Sequence, residues 1–188
     1  MIYPLPAVLI SCGDNPDNYN MFTVSWVGTT CTNPAMCYIS VRPERHSYPI
    51  IKESGEFVIN LTPASLVEVC DYVGTVTGRC VDKIKKTGLS LIESKEVAAP
   101  TLADSPLSLE CKVISVQSHG SHDMFIADVV QVSVDESLMD ESGHLCLDRA
   151  RLLTFAHGEY FEIGRKLGKI GISVQDKKKG KLARVKKK

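Results

Sequence analysis

The sequence predicts a mainly β fold with a few short helices. Three segments of alternating apolar and polar residues lie within residues 20–61, separated by Gly, Pro and Asn, and this pattern is typical of half-buried strands joined by turns. Two longer alternating runs follow at residues 107–117 and 124–134. Helical spacing of apolar residues occurs only in short stretches. We therefore predict a sheet-based domain with short flanking helices.

The N-terminal part predicts one strand and one loop before the central strands. Residues 3–12 form a short apolar run, and residues 13–20 are rich in the turn formers Gly, Asn, Asp and Pro. In the three central strands, alternate residues share a face. The predicted apolar faces comprise Phe22, Val24 and Trp26, then Cys37, Ile39 and Val41, then Phe57, Ile59 and Leu61.

The opposite faces of these strands carry polar side chains. Thr23 and Ser25 lie on the first strand, Ser40 and Arg42 on the second, and Asn60 on the third. Because Ser40 and Arg42 share a strand face, the guanidinium can form two hydrogen bonds to a phosphate while the hydroxyl adds a third. On strand alternation alone, two side chains that merely face water are the favoured alternative.

Two short helices are predicted after the third strand. Thr62 and Pro63 favour a helix start, because the hydroxyl can cap the helix and proline fits its first turn. The helix is expected to end at Gly74, and a second one, at residues 80–86, to end at Gly88. The first helix has an apolar face at helical spacing, formed by Leu66, Val69, Cys70 and Val73.

The second half of the chain predicts a hairpin and two short strands. Residues 93–104 are expected to form a loop with at most one short strand. The two long alternating runs are joined by six mostly polar residues, which predicts an antiparallel hairpin. Residues 135–148 read as a polar loop, and short strands are expected at residues 152–155 and 160–163.

Length and composition limit the class of protein. A chain of 188 residues can bury its own core, and one domain over residues 1–174 is predicted. Mean hydropathy is −0.01, and the sequence shows neither an apolar run of membrane-spanning length nor a secretion signal. We therefore predict a cytoplasmic location and no membrane partner.

The net charge of zero conceals a basic C-terminus. Residues 177–188 contain eight of the 22 Lys and Arg and no acidic residue. RNA, an acidic partner or a membrane surface are the possible ligands of such a segment. It has no aromatic residue to stack on bases and no apolar face, so we predict a disordered, solvated tail over residues 175–188 and no nucleic-acid partner.

The seven cysteines do not predict disulfides or a metal site. Their number is odd, they are scattered, and no Cys-x-x-Cys or Cys/His cluster has metal-ligand spacing. Nucleotide-binding glycine motifs, a nucleophile elbow and His-Glu-x-x-His are also missing from the sequence. A flavin or nicotinamide cofactor would therefore need a site outside the common glycine-rich motifs.

Four motifs in the central stretch carry a family resemblance. They are N-x-x-T-x-S-W at residues 20–26, G-T-T-C-T-N-P at 28–34, I-S-V-R-P-x-R-x-S at 39–47 and S-G-E-F-V-I-N-L at 54–61. In this order and spacing they resemble the flavin reductase-like family, which includes flavoredoxins. The likeness extends more thinly from residue 4 to 168. It implies an FMN-binding split β-barrel of Greek-key type with a few short flanking helices.

The resemblance also implies an FMN site. The phosphate is expected near Ser40, Arg42, Ser47 and Lys83, the last within D-K-x-x-x-T-G-L at residues 82–89. A solvated helix lysine is the alternative for Lys83, and packing alone is the alternative for Tyr160, which is otherwise expected at the ligand or the partner subunit. The ring is expected near Asn20, Thr23, Ser25, Trp26, Asn60 and the backbone of Thr29, Thr30, Cys31 and Thr32.

His122 is the candidate catalytic residue. The segment G-S-H at residues 120–122 resembles the family's G-D-H, in which the histidine lies near the nicotinamide site. Here Ser121 replaces the acid, and Ala127 stands where glycine is common, which leaves the form of the nicotinamide contact open. A histidine that only caps the hairpin turn is the alternative.

These implications predict a homodimeric FMN-binding oxidoreductase with FMN near the subunit interface. It would take electrons from NADH or NADPH and pass them to a free flavin, a metal chelate or a redox protein. One alternative is a flavoredoxin-like electron carrier with little direct NAD(P)H activity. Another is a split barrel that binds a different ligand or none.

Overall fold

The computed structural model of the chain describes residues 2–175, and these residues form a mainly β structure. Helices are α1 (Ser47–Ser54), α2 (Val67–Thr75), α3 (Lys83–Thr87) and α4 (Ile172–Gln175), with 3-10 turns at Ala64–Leu66, Glu136–Leu138 and Leu147–Ala150. Strands are β1 (Leu5–Pro6), β2 (Val8–Cys12), β3 (Asn20–Val24), β4 (Val27–Thr32), β5 (Ala35–Val41), β6 (Glu56–Leu61), β7 (Leu91–Ile92), β8 (Thr101–Leu102), β9 (Leu107–His119), β10 (His122–Val134), β11 (Leu153–Ala156) and β12 (Glu159–Glu162).

The main sheet is an antiparallel barrel that stays open on one side. Its strand order is β3-β2-β6-β9-β10-β5-β4, so β3 and β4 lie at opposite edges although they are consecutive in the chain. The bend between them crosses the opening, and the Ser40 N–H donates to the Trp26 carbonyl over 2.8 Å. The mainly β split barrel predicted from the sequence is therefore confirmed.

The barrel interior is the main hydrophobic core. Cys37, Ile39 and Val41 on β5 and Phe57 and Ile59 on β6 are all buried in it, as their alternation predicts. The first strand departs from the prediction, because β3 ends at Val24 and the side chain of Trp26 is 45% exposed. The chain bends at Ser25 and Trp26 to cross the opening, and this bend removes the indole from the core face.

The elements that the sequence did not predict include the strand β4 and the helix α1. Residues 28–34, predicted as a turn, mostly belong to β4, whose exposed threonines lack apolar alternation because β4 is an edge strand. Residues 47–54 form α1, which buries Tyr48 and Ile51 and ends at Gly55 in the left-handed region. Its Ser-Tyr-Pro-Ile-Ile sequence has weak helical character, so the contacts of the buried side chains decide its form.

The predicted helices are present with shifted ends. A 3-10 turn precedes α2, which continues one residue past Gly74. A Cβ at Gly74 would lie 3.0 Å from the Thr23 Cβ, so this glycine permits close packing of α2 on β3 rather than ending the helix. The second helix, α3, begins three residues later than predicted and ends at Gly88 as predicted.

A second, small sheet covers part of the barrel. It has the order β1-β11-β12 and packs with α2 over Leu9 and Met21. The predicted hairpin is formed by β9 and β10, and the loop before it contains the small β7–β8 pair. Within residues 2–175 no helix has the length and apolar character needed to cross a membrane. Residues 176–188, which include nearly all of the predicted basic tail, lie outside the described residues.

Candidate functional site

A groove of about 460 Å³ lies at the opening of the barrel, and we call it the central groove. β3 and the following bend form one wall, the end of β5 and the start of β10 form the opposite wall, and α2 with the small sheet closes the third side. The lining residues are Phe22, Thr23, Val24, Ser25, Trp26, Ser40, Val41, Arg42, Arg45, Gly74, Thr75, His122, Phe155 and Tyr160.

The outer end of the central groove carries a stacked aromatic pair. The rings of Trp26 and His122 lie 5.8 Å apart between centroids at an interplanar angle of 26°. The Ser121 hydroxyl oxygen is 2.9 Å from Nδ1 of His122, so the residue that replaces the family's acid still contacts the imidazole. The two rings form a flat surface at the mouth of the groove.

The inner end is formed by Tyr160 and Phe155, whose ring centroids are 5.6 Å apart. The Tyr160 hydroxyl donates to Oδ1 of Asp71 over 3.2 Å. Burial, followed by the electrostatic repulsion that the ionised forms of Cys70 and Asp71 would exert on a phenolate, raises the pKa of Tyr160 to about 12. The phenol therefore stays protonated at neutral pH and is held in place by α2.

A smaller cavity of about 120 Å³ adjoins the central groove, and we call it the cationic pocket. The two cavities share Phe22, Arg45 and Thr75 in their linings. The cationic pocket adds His46 and Ser47 at the start of α1, residues 76–78 after α2, Lys83 on α3, and one acid, Glu44, whose carboxylate is paired with Arg42 at 2.7 Å.

Lys83 is the most unusual side chain of the cationic pocket. It is only 4% exposed, and its ammonium donates to the carbonyls of Met21 and Val73 over 3.0 and 2.7 Å. In the part of the chain that the structure describes, it forms no ion pair. Burial, followed by repulsion from Arg45, lowers the pKa of Lys83 to about 8, and Cys12 opposes this shift.

His46 has a similar electrostatic environment. Burial, together with the positive charges of Arg79 and Lys83, lowers its pKa below the ordinary value. Arg45 is held beside it, since its Nη1 donates to the Gly74 carbonyl over 2.8 Å. The cationic pocket thus gathers positive charge that nearby carboxylates do not neutralise.

The structure brings ten of the predicted site residues to the two cavities or to their walls. Seven line the central groove and two line the cationic pocket, while Asn20 lies behind the pocket and donates from Nδ2 to the Ser47 hydroxyl over 2.6 Å. The seven in the groove are Thr23, Ser25, Trp26, Ser40, Arg42, His122 and Tyr160, and the two in the pocket are Ser47 and Lys83.

Five predicted residues lie elsewhere. Thr29, Thr30, Cys31 and Thr32 follow the edge strand β4 and line neither cavity. Asn60 is fully buried and links three strands. Its Nδ2 donates to the Leu9 carbonyl and the Ser11 hydroxyl, and its Oδ1 accepts from Leu102 N and the Ser108 hydroxyl. The structure thus assigns Asn60 a packing role, because both faces of β6 are covered.

Several lining residues were not singled out from the sequence. Arg45 is the second arginine of the motif at residues 39–47, and His46 stands at one of its variable positions. Thr75 and Gly78 belong to no motif. Gly78 is required by close approach, because a Cβ there would lie 2.5 Å from Cδ2 of His46. Within residues 2–175 no group of three or more His, Cys, Asp or Glu could hold a metal ion.

Comparison with known proteins decides the family. A model of the flavin reductase-like domain matches residues 1–164. The chain belongs to the flavin reductase-like domain family.

Solved structures and a curated relative agree with this family. Flavoredoxin of Desulfovibrio vulgaris (Miyazaki F) is 29% identical with a TM-score of 0.84, over 90% of this chain and 92% of that one. A candidate flavin reductase with a split barrel domain from Shewanella frigidimarina is 24% identical with a TM-score of 0.80, over 89% and 85%, and shares the fold. FMN reductase (NADH) RutF 2 of Rhizobium rhizogenes is 25% identical over 126 residues, 67% of this chain and 70% of that protein.

Proposed function

We propose that this flavin reductase-like protein is an FMN-dependent oxidoreductase. It takes electrons from NADH or NADPH and passes them to a free flavin, a metal chelate or a redox protein. The observation that carries the proposal is the cationic pocket, which joins a groove with aromatic walls at the opening of the barrel. FMN is a flat ring system joined by a flexible chain to a phosphate, and the two cavities match these two parts.

The phosphate is assigned to the cationic pocket. A phosphate monoester carries a charge of about −1.5 to −2 at neutral pH, and Arg45 and Lys83 supply positive charge. Ser47 adds a hydroxyl to the same cavity. Arg42 lies at the boundary with the central groove, where its ion pair with Glu44 is exposed and therefore costs little to break.

The ring is assigned to the central groove. Phe22, Phe155 and the indole of Trp26 provide apolar surface, while Thr23, Ser25 and Ser40 provide hydroxyls along the walls. FMN, when bound, supplies the hydride and electron transfer chemistry. The protein contributes binding and orientation, so no acid and base pair is needed in the groove.

The nicotinamide is assigned to the mouth of the central groove. Trp26 and His122 form a flat stacked surface there, and Ser121 fixes the orientation of the imidazole. These two rings would position the nicotinamide against the flavin. The relative from Rhizobium rhizogenes is named an FMN reductase (NADH), and this name supports NADH as the electron donor.

We also infer a homodimer with the flavin site near the interface. Half-exposed apolar side chains on the long hairpin β9–β10 support an interface on this hairpin, and they include Ile114, Val116, Val130 and Val132. Light scattering after size-exclusion chromatography gives the mass directly, and a mass of one chain would contradict the dimer.

The second candidate is an electron carrier like flavoredoxin. The stacked rings of Trp26 and His122 occupy the wall where the nicotinamide would bind, and Ser121 replaces the family's acid beside them. The structural similarity to flavoredoxin at 29% identity favours the same alternative. Both candidates share the flavin site and differ in access to it.

A visible absorption spectrum separates the candidates. A yellow protein that bleaches promptly on anaerobic addition of NADH or NADPH is the expected result for a reductase. A yellow protein that bleaches only with dithionite supports the carrier. A colourless protein that fails to take up added FMN contradicts both candidates and favours a split barrel with another ligand.

A further inference from the structure

His122, which the proposed function places beside the nicotinamide, is the first residue of β10. The pairing of β10 with β5 begins one residue later, at Asp123 opposite Val41. His122 pairs with His119, in the other strand of the same hairpin. The ladder between β5 and β10 therefore stops one residue short of His122, and the position of the imidazole relative to the barrel depends on what holds Asp123.

Asp123 is held by Tyr48 on α1. The Tyr48 hydroxyl donates to Oδ2 of Asp123 over 2.5 Å. The Lys52 ammonium lies 3.5 Å from the same hydroxyl oxygen, and because an ammonium can only donate, the phenol proton points to the carboxylate. The Tyr48 ring also packs edge-on against Phe125, with 5.3 Å between the ring centroids. Tyr48 thus contacts β10 at two side chains that lie on one face of the strand.

The hydrogen bond between Tyr48 and Asp123 joins a neutral donor to a charged acceptor. This bond, followed by one from Ser118, lowers the pKa of Asp123 below its ordinary value. The same bond is the largest cause that raises the pKa of Tyr48. At neutral pH the phenol is therefore protonated and the carboxylate ionised, and hydrogen bonds to an ionised acceptor are roughly twice as strong as neutral ones.

The helix α1 is a firm support for this bond. Ile51 is fully buried in the barrel core, and the Ser47 hydroxyl accepts from Nδ2 of Asn20 over 2.6 Å. Ser47 also lines the cationic pocket. Two consecutive residues of α1, Ser47 and Tyr48, thus contact the proposed phosphate site and the start of β10.

The alternation of side chains along β10 connects Tyr48 to the central groove. Successive side chains of a strand point to opposite faces, so Asp123 faces α1 while His122 stacks on Trp26 at the mouth of the groove. A rotation of the strand about Asp123 would move the imidazole away from the indole.

We propose that Tyr48 and Asp123 are positioning residues that hold His122 in the orientation in which its ring, with that of Trp26, receives the nicotinamide. This inference rests on the proposed function, since it concerns the nicotinamide surface of the same site. The lining of the central groove, as the described residues form it, includes neither Tyr48 nor Asp123, so both act through β10. Hydride transfer depends on the distance and angle of the stacked donor, and its rate is therefore sensitive to small displacements of this surface.

Tyr48→Phe tests the role of the hydroxyl, because it keeps the ring on Phe125. In FMN-loaded protein we expect kcat/KM for NADH or NADPH to fall about tenfold, the scale of a displacement of less than 1 Å. The dissociation constant of FMN is expected to stay the same. The matched control is Tyr72→Phe on α2, which removes a phenol hydroxyl outside the central groove and the cationic pocket and is expected to change neither quantity.

A double-mutant cycle separates positioning from a loss of packing. Asp123→Ala should lower kcat/KM as much as Tyr48→Phe does, and the double variant should be no worse than either single one, because both remove the same bond. Asp123→Asn keeps an oxygen that can accept from the Tyr48 hydroxyl, and it is expected to retain about half or more of the wild-type kcat/KM. Losses that add in the double variant overturn the inference.

The fluorescence of Trp26 gives a second readout that does not depend on electron transfer. Trp26 is the only tryptophan of the sequence and stacks on His122, so its emission in the flavin-free protein reports this contact. We expect Tyr48→Phe and Asp123→Ala to change the emission alike. Asp123→Asn and Tyr72→Phe are expected to match the wild-type protein.

Each outcome decides the inference. Wild-type kcat/KM in Tyr48→Phe, or a fall in kcat/KM with unchanged Trp26 emission, overturns it and leaves the proposed function intact. A wild-type protein that binds FMN but is not reduced by NADH or NADPH overturns the reductase proposal, and the Trp26 emission of the variants then decides whether Tyr48 positions His122. If circular dichroism shows that Tyr48→Phe is unfolded, Asp123→Ala takes its place, and wild-type values in that variant overturn the inference.

Discussion

Two buried charged side chains of this barrel, Glu110 and Lys83, differ in their electrostatic surroundings. Glu110 on β9 is 1% exposed, and its carboxylate accepts hydrogen bonds of 2.7 to 3.1 Å from the backbone N–H groups of Lys95 and Glu96. Lys83 is also buried, and its ammonium donates to the carbonyls of Met21 and Val73. Its charged neighbours Arg45 and His46, however, have the same sign or none. Glu110 therefore holds a loop onto the sheet, whereas Lys83 keeps a positive charge that the chain leaves without an anion.

The difference separates polar groups that serve the fold from those that serve a ligand. A buried polar group whose hydrogen-bonding capacity is filled within the chain has none left for a ligand. A buried cation among other cations costs stability until an anion arrives. Asn60 belongs to the first kind, because its amide makes hydrogen bonds to β2, β8 and β9, and Lys83 belongs to the second.

The largest effect is expected from replacing Asn60, whose amide stabilises the fold. Asn60→Ala leaves buried partners on three strands unsatisfied, and each such group costs about 1 to 3 kcal/mol. We expect the free energy of unfolding to fall by about 3 to 5 kcal/mol, as measured by urea denaturation. Asn15→Ala, at an exposed loop position, is the control and is expected to cost less than 1 kcal/mol. A small loss for Asn60→Ala would remove the distinction between the two kinds of group.

Replacing Lys83 should change the affinity for FMN rather than the stability of the fold. Lys83→Met is expected to weaken FMN binding by about 2 to 3 kcal/mol, the scale of a hydrogen bond to a charged group, as measured by fluorescence titration. Lys86→Met on the same helix is the control, since Lys86 is exposed and lines neither the central groove nor the cationic pocket. Equal affinities for the two variants would place the phosphate away from Lys83.

Arg42 and Arg45, which lie between the central groove and the cationic pocket, can be compared to locate the phosphate. Arg45→Ala is expected to weaken FMN binding by about 1.5 to 2.5 kcal/mol, while Arg42→Ala should cost about 1 kcal/mol or less, because Arg42 must first leave Glu44. Isothermal titration of both variants compares them directly. A larger loss for Arg42→Ala would move the phosphate from the cationic pocket to the strand face of β5.

The smallest expected effect is a dependence on pH. As the pH rises above 8, FMN affinity should fall, whereas the contribution of Lys83 to the free energy of unfolding should rise. Burial lowers the pKa of Lys83 to about 8, so above this pH the unliganded protein loses the cation. FMN affinity is therefore expected to be highest below pH 8 and to fall by up to about tenfold per pH unit above it. The lowered pKa means that the unfolded chain binds more protons between pH 8 and 10.5, so the contribution of Lys83 to stability rises over the same window.

Measurements with Lys83→Met isolate these two slopes. The variant should lose the difference in FMN affinity between pH 7 and pH 9. The wild-type protein should also gain stability relative to the variant over the range from pH 8 to 10.5. Parallel pH profiles for wild type and variant would show that another group titrates.

The barrel strands were predictable because their alternation is a local property. β5 and the hairpin β9–β10 follow their sequence pattern closely, and the ordered motifs of the central stretch indicated the family. β4 was not predictable, since its edge position arises only when the sheet is assembled. The helix α1 was missed for a similar reason, because its buried Tyr48 and Ile51 depend on contacts with the barrel core.

The candidate site was predictable in part. Residues on the opening of the barrel, such as Ser25, Ser40 and His122, belong to motifs, and the structure brings them together. The cationic pocket was not predictable as a unit, because Arg45 and Lys83 are far apart in sequence and meet only through packing of α2 and α3 on β3. Asn60 was assigned to the ligand because alternation cannot show that both faces of β6 are buried.

The most direct test of the central claim compares FMN with riboflavin, which lacks the phosphate. Fluorescence titration of flavin-free wild-type protein and of Lys83→Met gives four dissociation constants. We predict that the wild-type protein binds FMN at least a hundredfold more tightly than riboflavin, and that Lys83→Met reduces this ratio by at least tenfold while its riboflavin affinity stays the same. Equal affinities for FMN and riboflavin in the wild-type protein would contradict the assignment of the cationic pocket to the flavin phosphate.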